Sequence, residues 1–224
     1  AYELACRDWS SGVCSSDLLK DREILLREVH HRVKNNLQII ISLLNLQARY
    51  ITDEKTLAAI RESQNRITAM ALVHERMYRS EEISSISFRD YVDFLVNSHF
   101  VFYGVNARRI SYTISMEDLP IDIDTAIPLG LIMTELVSNS LKYAFPEGRG
   151  GEIRITGSME DEDTFRFTVS DDGVGIPDTI DWRNTDSLGL RLVNSLVTQL
   201  NGTIDLDRTG GTSFTFIVHP KEER

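Results

Sequence analysis

From Leu19 to about Tyr50 the chain contains neither proline nor glycine, and apolar residues fall at Leu26, Val29, Val33, Leu37, Ile40 and Leu44. Steps of three and four make this the stripe of a long amphipathic helix. A polar break at Thr52, Asp53 and Glu54 leads to a second proline- and glycine-free run ending near Tyr78, with Leu57, Ile60, Ile67, Met70, Ala71 and Met77 on one side. Two long helices joined by so short a turn predict an antiparallel hairpin. One hairpin leaves apolar surface uncovered on each helix. Pairing with a second copy into a four-helix bundle is therefore expected, a homodimer through residues 19–82.

After the polar stretch Ser80 to Ser85 the texture changes, and residues 83–224 are expected to form a second domain. Phe88 to about Phe100 reads as helix, and Arg109 to Ser115 alternates Ile110, Tyr112 and Ile114 as a strand does. Asp124 to Phe145 reads as a helix carrying Leu129, Ile132, Met133, Leu136, Val137 and Leu141 inward, with Pro128 near its first turn, where proline is tolerated. Strands are expected at Glu152–Thr156, Phe165–Ser170, Gly202–Asp207 and Thr212–Val218, with a helix at Gly189–Leu200. Helices segregated from a largely antiparallel sheet predict an α+β sandwich, so the fold class is a helical hairpin followed by an α/β sandwich.

Composition narrows the function. With 24 basic and 34 acidic residues the net charge is −10, which leaves no basic excess to neutralise nucleic-acid phosphates. The longest apolar-looking run, Ala126 to Met133, is far short of the roughly 20 residues that span a bilayer. Both cysteines, Cys6 and Cys14, lie in the first 18 residues, and their absence from 19–224 fits a reducing, cytoplasmic compartment. The stretch Asp8 to Leu18 resembles, at all but Gly12, what one frame of a sequencing-library adapter encodes. Residues 1–18 are accordingly read as a non-native leader and excluded from fold reasoning, and a further domain is expected upstream.

Three clusters carry chemistry. Glu135, Asn139 and Lys142 stand at i, i+4 and i+7, one stripe of a helix, and offer a carboxylate, an amide oxygen for Mg²⁺ and a cation for phosphate. Asp171-Asp172-Gly173-Val174-Gly175 follows a strand; the glycines let backbone approach a ligand, and an aspartate at a strand end can accept from an exocyclic amine such as adenine's. Ser187-Leu188-Gly189-Leu190 opens a helix, a ready phosphate site, and Gly210-Gly211-Thr212-Ser213-Phe214 precedes the last strand. Each alone is as well explained by a solvated face, a turn or a helix cap.

In that order, Glu-x-x-x-Asn, Asp-x-Gly-x-Gly, Leu-Gly-Leu and Gly-Thr-x-Phe, the clusters make residues 88–218 resemble the Bergerat-type ATP-binding domain of the gyrase, Hsp90, histidine-kinase and MutL superfamily. The resemblance implies that Glu135 and Asn139 form the N box, with Asn139 on Mg²⁺, Lys142 near phosphate and Tyr143 beside the nucleotide. It further implies that Asp171 binds the adenine amine and that Gly173, Gly175 and Thr212 shape the pocket. Gly189 would admit the phosphates at the end of a lid spanning roughly 178–188. Ser187 stands where many relatives carry glycine. The hairpin segment Glu28-Val29-His30-His31-Arg32-Val33-Lys34-Asn35-Asn36-Leu37-Gln38 resembles the H box of the second histidine-kinase dimerisation family, related to the HWE kinases. The likeness continues through Leu46 to Arg49, Gln64-Asn65-Arg66 and Val73 to Tyr78.

At about 100° per residue, His31 points roughly 160° from the centre of the apolar stripe and His30 only about 60° from it. His31 is therefore the expected phosphoacceptor and His30 a flank of the bundle, while His74, His99 and His219 are expected to be structural. An acidic residue often follows such a histidine and takes its proton; Arg32 occupies that place. Glu28, one turn earlier, is a candidate base, Arg32 and Lys34 are candidates to stabilise phosphate, and Asn35 to orient a water. The expectation is the transmitter portion of a sensor histidine kinase, passing a phosphoryl group from ATP through His31 to an aspartate on a response-regulator receiver domain. The rivals are a serine kinase of the anti-sigma type and a catalytically inactive dimeric scaffold.

Overall fold

The computed structural model describes residues 25, 28–76, 87–106, 108–117, 119, 121–161, 164–185 and 187–219. The leader, Met77 and the stretch 80–85 lie outside the described residues, as do the side chains of Leu26 and His74. Helix α1 covers 28–48, and α2 runs from Glu54 to Arg76 after a break in which Asp53 Oδ2 accepts from the Thr56 amide at 2.8 Å. Asn45 Oδ1 accepts from Gln64 Nε2 at 3.0 Å, tying the two helices together.

The apolar surface of α1 is two rows rather than one stripe. Val33, Leu37, Ile41, Leu44 and Ala48 are half-buried. Val29 and Ile40, expected inside, are exposed, and they join Leu25, Ile39, Leu43 and Leu46 on an open face. The helix is apolar over more of its circumference than one partner helix can cover.

The remaining elements are α3 (Phe88–Phe102), β1 (Ile110–Met116), α4 (Ile123–Asn139), β2 (Gly151–Asp161), β3 (Thr164–Asp171), α5 (Leu188–Gln199), β4 (Thr203–Asp207) and β5 (Thr212–Val218). The sheet order is β1-β2-β3-β5-β4, antiparallel except for the β1–β2 pair, which is parallel. Residues 165, 167 and 169 of β3 and 214, 216 and 218 of β5 point to one face and are buried there, the period-two signature of a sheet covered on that side. Phe167 stacks on Phe216 at 5.5 Å between centroids and meets Phe88 of α3 edge-on at 5.7 Å. Burying rings of this size contributes about 2–3 kcal/mol each.

Helix α4 is the central helix, packed against α2, α3 and α5. Every residue from Leu129 to Ser138 is buried, so the helix is hydrophobic nearly all round. Asp122 caps it by accepting from the Thr125 amide at 2.8 Å. The helix therefore starts at Ile123, which puts Pro128 in the second turn. The expected single helix to Phe145 is also divided: α4 ends at Asn139 and Ser140–Ala144 form one π-helical turn.

Candidate functional site

The inward row of β3 ends on a carboxylate. Because side chains alternate along a strand, Asp171 points to the same face as Phe167 and Val169, and its register partner on β5 is Thr212. Asp171 is buried. Its Oδ2 accepts from the Ser140 hydroxyl at 2.7 Å, and Oδ1 accepts from the amides of Gly173 at 3.1 Å and Thr212 at 3.3 Å. Ser140 still bonds back to Leu136 as the continuation of α4 and opens the π turn, and such turns recur at functional sites.

These groups floor a cavity of about 430 Å³. Asn139, Ser140 and Tyr143 line it from α4 and the π turn, Val169, Asp171, Thr212 and Phe214 from the sheet, and Val174 to Pro177 from the loop after β3. Ile180, Thr185, Ser187 and Leu190 complete it from the segment leading into α5. That segment is pinned: Trp182 is buried against Phe214 with centroids 5.4 Å apart, and Arg183 donates to Asp205 at 3.0 Å. Gly175 holds φ +77°, a turn conformation few side chains adopt. A Cβ on Gly173 would stand 2.4 Å from Ala144, so glycine is what lets this loop lie on the π turn.

Of the residues singled out, Asn139, Tyr143, Asp171, Gly175 and Thr212 line one cavity, and Gly173 adjoins it. Glu135 and Lys142 are elsewhere. Arg66 of α2 forks onto Glu135, Nε to Oε1 at 2.5 Å and Nη2 to Oε2 at 2.9 Å, with both side chains about nine-tenths buried. Lys142 Nζ donates to Glu62 Oε1 at 2.6 Å, and Glu62 Oε2 lies 3.7 Å from Arg66. Bonding to Glu135 raises the pKa of Arg66. Burial pulls that of Lys142 down, but bonding to Glu62 and the field of Tyr103 and Glu62 leave it raised overall. Gly189 packs on the same pair: a Cβ there would stand 2.4 Å from Glu135 Oε2. Arg66, Glu62 and Ser140 were not picked out by sequence reasoning, although Arg66 lies in the Gln-Asn-Arg segment and Glu62 stands four residues before it, a pairing distance on a helix.

On α1, His31 is exposed and His30 half-buried, as expected from their angles. Glu28 Oε1 accepts from Arg32 Nε at 3.0 Å and Nη2 at 2.7 Å, so the candidate base is engaged by the residue after the histidine. His99 is buried, and its Nδ1 donates to the Leu95 carbonyl at 2.7 Å. His219 pairs with Thr164 Oγ1 at 3.2 Å.

A helical layer on one face of a sheet, with a buried carboxylate at a strand end beside glycine loops, defines an α/β sandwich with a ligand-sized pocket. Residues 28–103 match the family described as "Histidine kinase", and residues 124–223 the family described as "Histidine kinase-, DNA gyrase B-, and HSP90-like ATPase". The two matches together span most of the chain, which belongs to the histidine kinases.

The chain is 33% identical over 194 residues to the sensor histidine kinase PdtaS of Mycobacterium tuberculosis, covering 84% of this chain and 37% of that protein. It is 29% identical over 202 residues to blue-light-activated histidine kinase 2 of Erythrobacter litoralis, covering 88% of this chain and 57% of that protein. The chain thus spans about two fifths to three fifths of the length of these curated relatives. Among solved structures, the histidine kinase domain of the Erythrobacter litoralis EL346 blue-light-activated kinase superposes with a TM-score of 0.64 at 24% identity, covering 89% of this chain and 94% of that one. That likeness bears on the fold.

Proposed function

We propose that this chain is the ATP-using transmitter portion of a sensor histidine kinase, acting in the cytoplasm, in which residues 19–82 carry the phosphoacceptor and residues 83–224 bind the nucleotide. The observation that carries the reading is the anchoring of Asp171. A carboxylate has about four acceptor positions, and three are filled by Ser140, Gly173 and Thr212. The position left suits one N–H donor from a ligand in the cavity, as the amine of adenine would provide. The apolar walls, Leu136, Val169, Ile176 and Phe214, suit the faces of a purine.

Asn139 lines the same cavity and offers an amide oxygen for Mg²⁺, which takes few protein ligands when it also binds phosphates. When bound, the ion neutralises phosphate charge. Tyr143 is exposed at the cavity wall and can lie over a bound base. Gly189 lies in the first turn of α5, whose unpaired N-terminal amides would suit a phosphate. The neutral imidazole of His31 attacks the γ-phosphorus; an N–P bond forms, the bond to the bridging oxygen breaks, ADP leaves and the imidazole gives up its N–H proton. Glu135, paired with Arg66 in this arrangement, is the candidate to receive that proton once the nucleotide unit reaches the histidine. The phosphoryl group then passes to an aspartate of a receiver domain. The exposed row Leu25, Val29, Ile39, Leu43 and Leu46 supports a homodimer through the hairpin.

Incubation with γ-labelled ATP and Mg²⁺ tests this directly. The protein is expected to acquire acid-labile, base-stable label, lost in His31→Gln and retained in His30→Gln. Label on serine would favour the anti-sigma type of kinase, and absence of nucleotide binding the scaffold.

A further inference from the structure

The alternating chain Lys142, Glu62, Arg66, Glu135 joins two groups of the nucleotide unit to two groups of the hairpin. Each of its links is a side-chain contact between opposite charges. The Arg66 fork takes one acceptor position on each oxygen of Glu135 and turns the carboxylate toward the hairpin, and Glu135 is not among the residues lining the nucleotide cavity. The Lys142 ammonium is directed at Glu62, and Lys142 is not among the residues lining the nucleotide cavity.

The register of the helices adds a second, independent observation. Along α2, Glu62 meets Lys142, Arg66 meets Glu135, and Ala69 meets Tyr91, whose ring packs on Gly130. Helices α2 and α4 are therefore antiparallel. The cavity residues 136–144 sit level with the first half of α2, at the hairpin turn. His31 lies at the other end. Asn45, which faces Gln64, is fourteen residues after His31, and at 1.5 Å per residue that is about 21 Å of helix.

We propose that this docked arrangement is the resting state of the kinase and that Arg66 and Glu62 form its latch. Docking withholds Glu135 and Lys142 from the nucleotide while the phosphoacceptor stands out of reach. Breaking the four-charge chain frees both groups in the same motion that lets the nucleotide unit travel along the hairpin to His31. A rotation or shift of α1 that carries α2 with it is sufficient to break it, so an upstream signal can act on residues 62 and 66 without touching the nucleotide cavity. The inference rests on the kinase reading and concerns how its site is regulated.

The test uses the full chain at saturating ATP and Mg²⁺. Arg66→Gln leaves Glu135 buried and uncompensated in the docked state, so the initial rate of His31 labelling is expected to rise about tenfold. Glu62→Gln is expected to give a smaller rise, and Arg66→Lys, which keeps the charge but loses the fork, an intermediate one. Calorimetric nucleotide affinity is expected to hold or to rise, since neither residue lines the cavity and release of Lys142 adds a cation for phosphate. An unchanged rate, or a lower rate at unchanged affinity, overturns the latch, the second outcome making Arg66 a residue that positions Glu135 for transfer. Hydrogen exchange judges the latch apart from catalysis. In Arg66→Gln the α2 amides around 62–69 are expected to lose protection while those of β3 and β5 keep it, and identical exchange in the two proteins overturns it. Nucleotide binding without phosphohistidine in any variant would count against the kinase reading, with the exchange result still deciding the latch.

Discussion

Asp171 and His99 are both buried polar side chains, but both oxygens of Asp171 are hydrogen-bonded whereas Nε2 of His99 has no partner among the described residues. Asp171 accepts three hydrogen bonds and lines the cavity. Asp171→Asn turns one of those acceptors into a donor, and nucleotide affinity is expected to fall about 10- to 100-fold by calorimetry, the cost of one charge-assisted bond in a dry pocket. His99 is held below the usual 6.5 first by burial, with Lys142 adding to the depression and the Leu95 carbonyl and Glu135 opposing it. The unfolded imidazole therefore binds a proton that the folded one refuses. Stability is expected to fall as pH drops below about 6.5 toward the depressed folded value, and to gain nothing from this group above 6.5. Denaturant titrations between pH 7 and 5 check this, with His99→Gln expected to flatten that part of the slope.

At the level of elements, what the chain's own periodicity specifies is distinct from what neighbours impose. The alternation on β3 and β5 predicts both the buried face and the strand end where Asp171 emerges, and Thr212–Val218 is found as expected. Steps of three and four predict α2, α3 and α5 to within a few residues. The π turn is not readable, because Ser140 to Ala144 is as compatible with α-helix as with one extra residue per turn; contact with Asp171 and Val174 selects the wider turn. The pairing of Glu135 with Arg66 is equally hidden, since a stripe of charges on a helix carries no information about which helix meets it. Gly130 shows how close that packing is. A Cβ there would stand 2.1 Å from the Tyr91 hydroxyl, which itself donates to the Ala69 carbonyl of α2 at 3.4 Å. Gly130→Ala raises intrinsic helix propensity, yet it must push α3 and α4 apart. A net loss of about 1–3 kcal/mol is expected in urea denaturation.

For the molecule as a whole, the open face of α1 is the surface on which the proposed homodimer would form. Leu25, Val29, Ile39, Leu43 and Leu46 are each more than half exposed, and with Arg32 and Asn36 they fall at steps of four and three, the seam of a left-handed helical pair. A row this long left in water is costly, and the neighbouring row of the same helix is already engaged within the hairpin. A second copy of the hairpin, presenting the same seam about a two-fold axis, covers both faces at once. The two polar members, Arg32 and Asn36, interrupt the seam beside His31 between Leu25–Val29 and Ile39–Leu46, and His31 is itself exposed, so under the proposed reading it stays open to an approaching nucleotide unit. Leu43→Glu places a charge in the middle of that contact. Analytical ultracentrifugation is expected to show a dimer for the wild-type chain and a monomer for this variant, with calorimetric nucleotide affinity unchanged because Leu43 is remote from the cavity. A wild-type chain that sediments as a monomer at concentrations of tens of micromolar would remove the dimer and leave the open face to another partner.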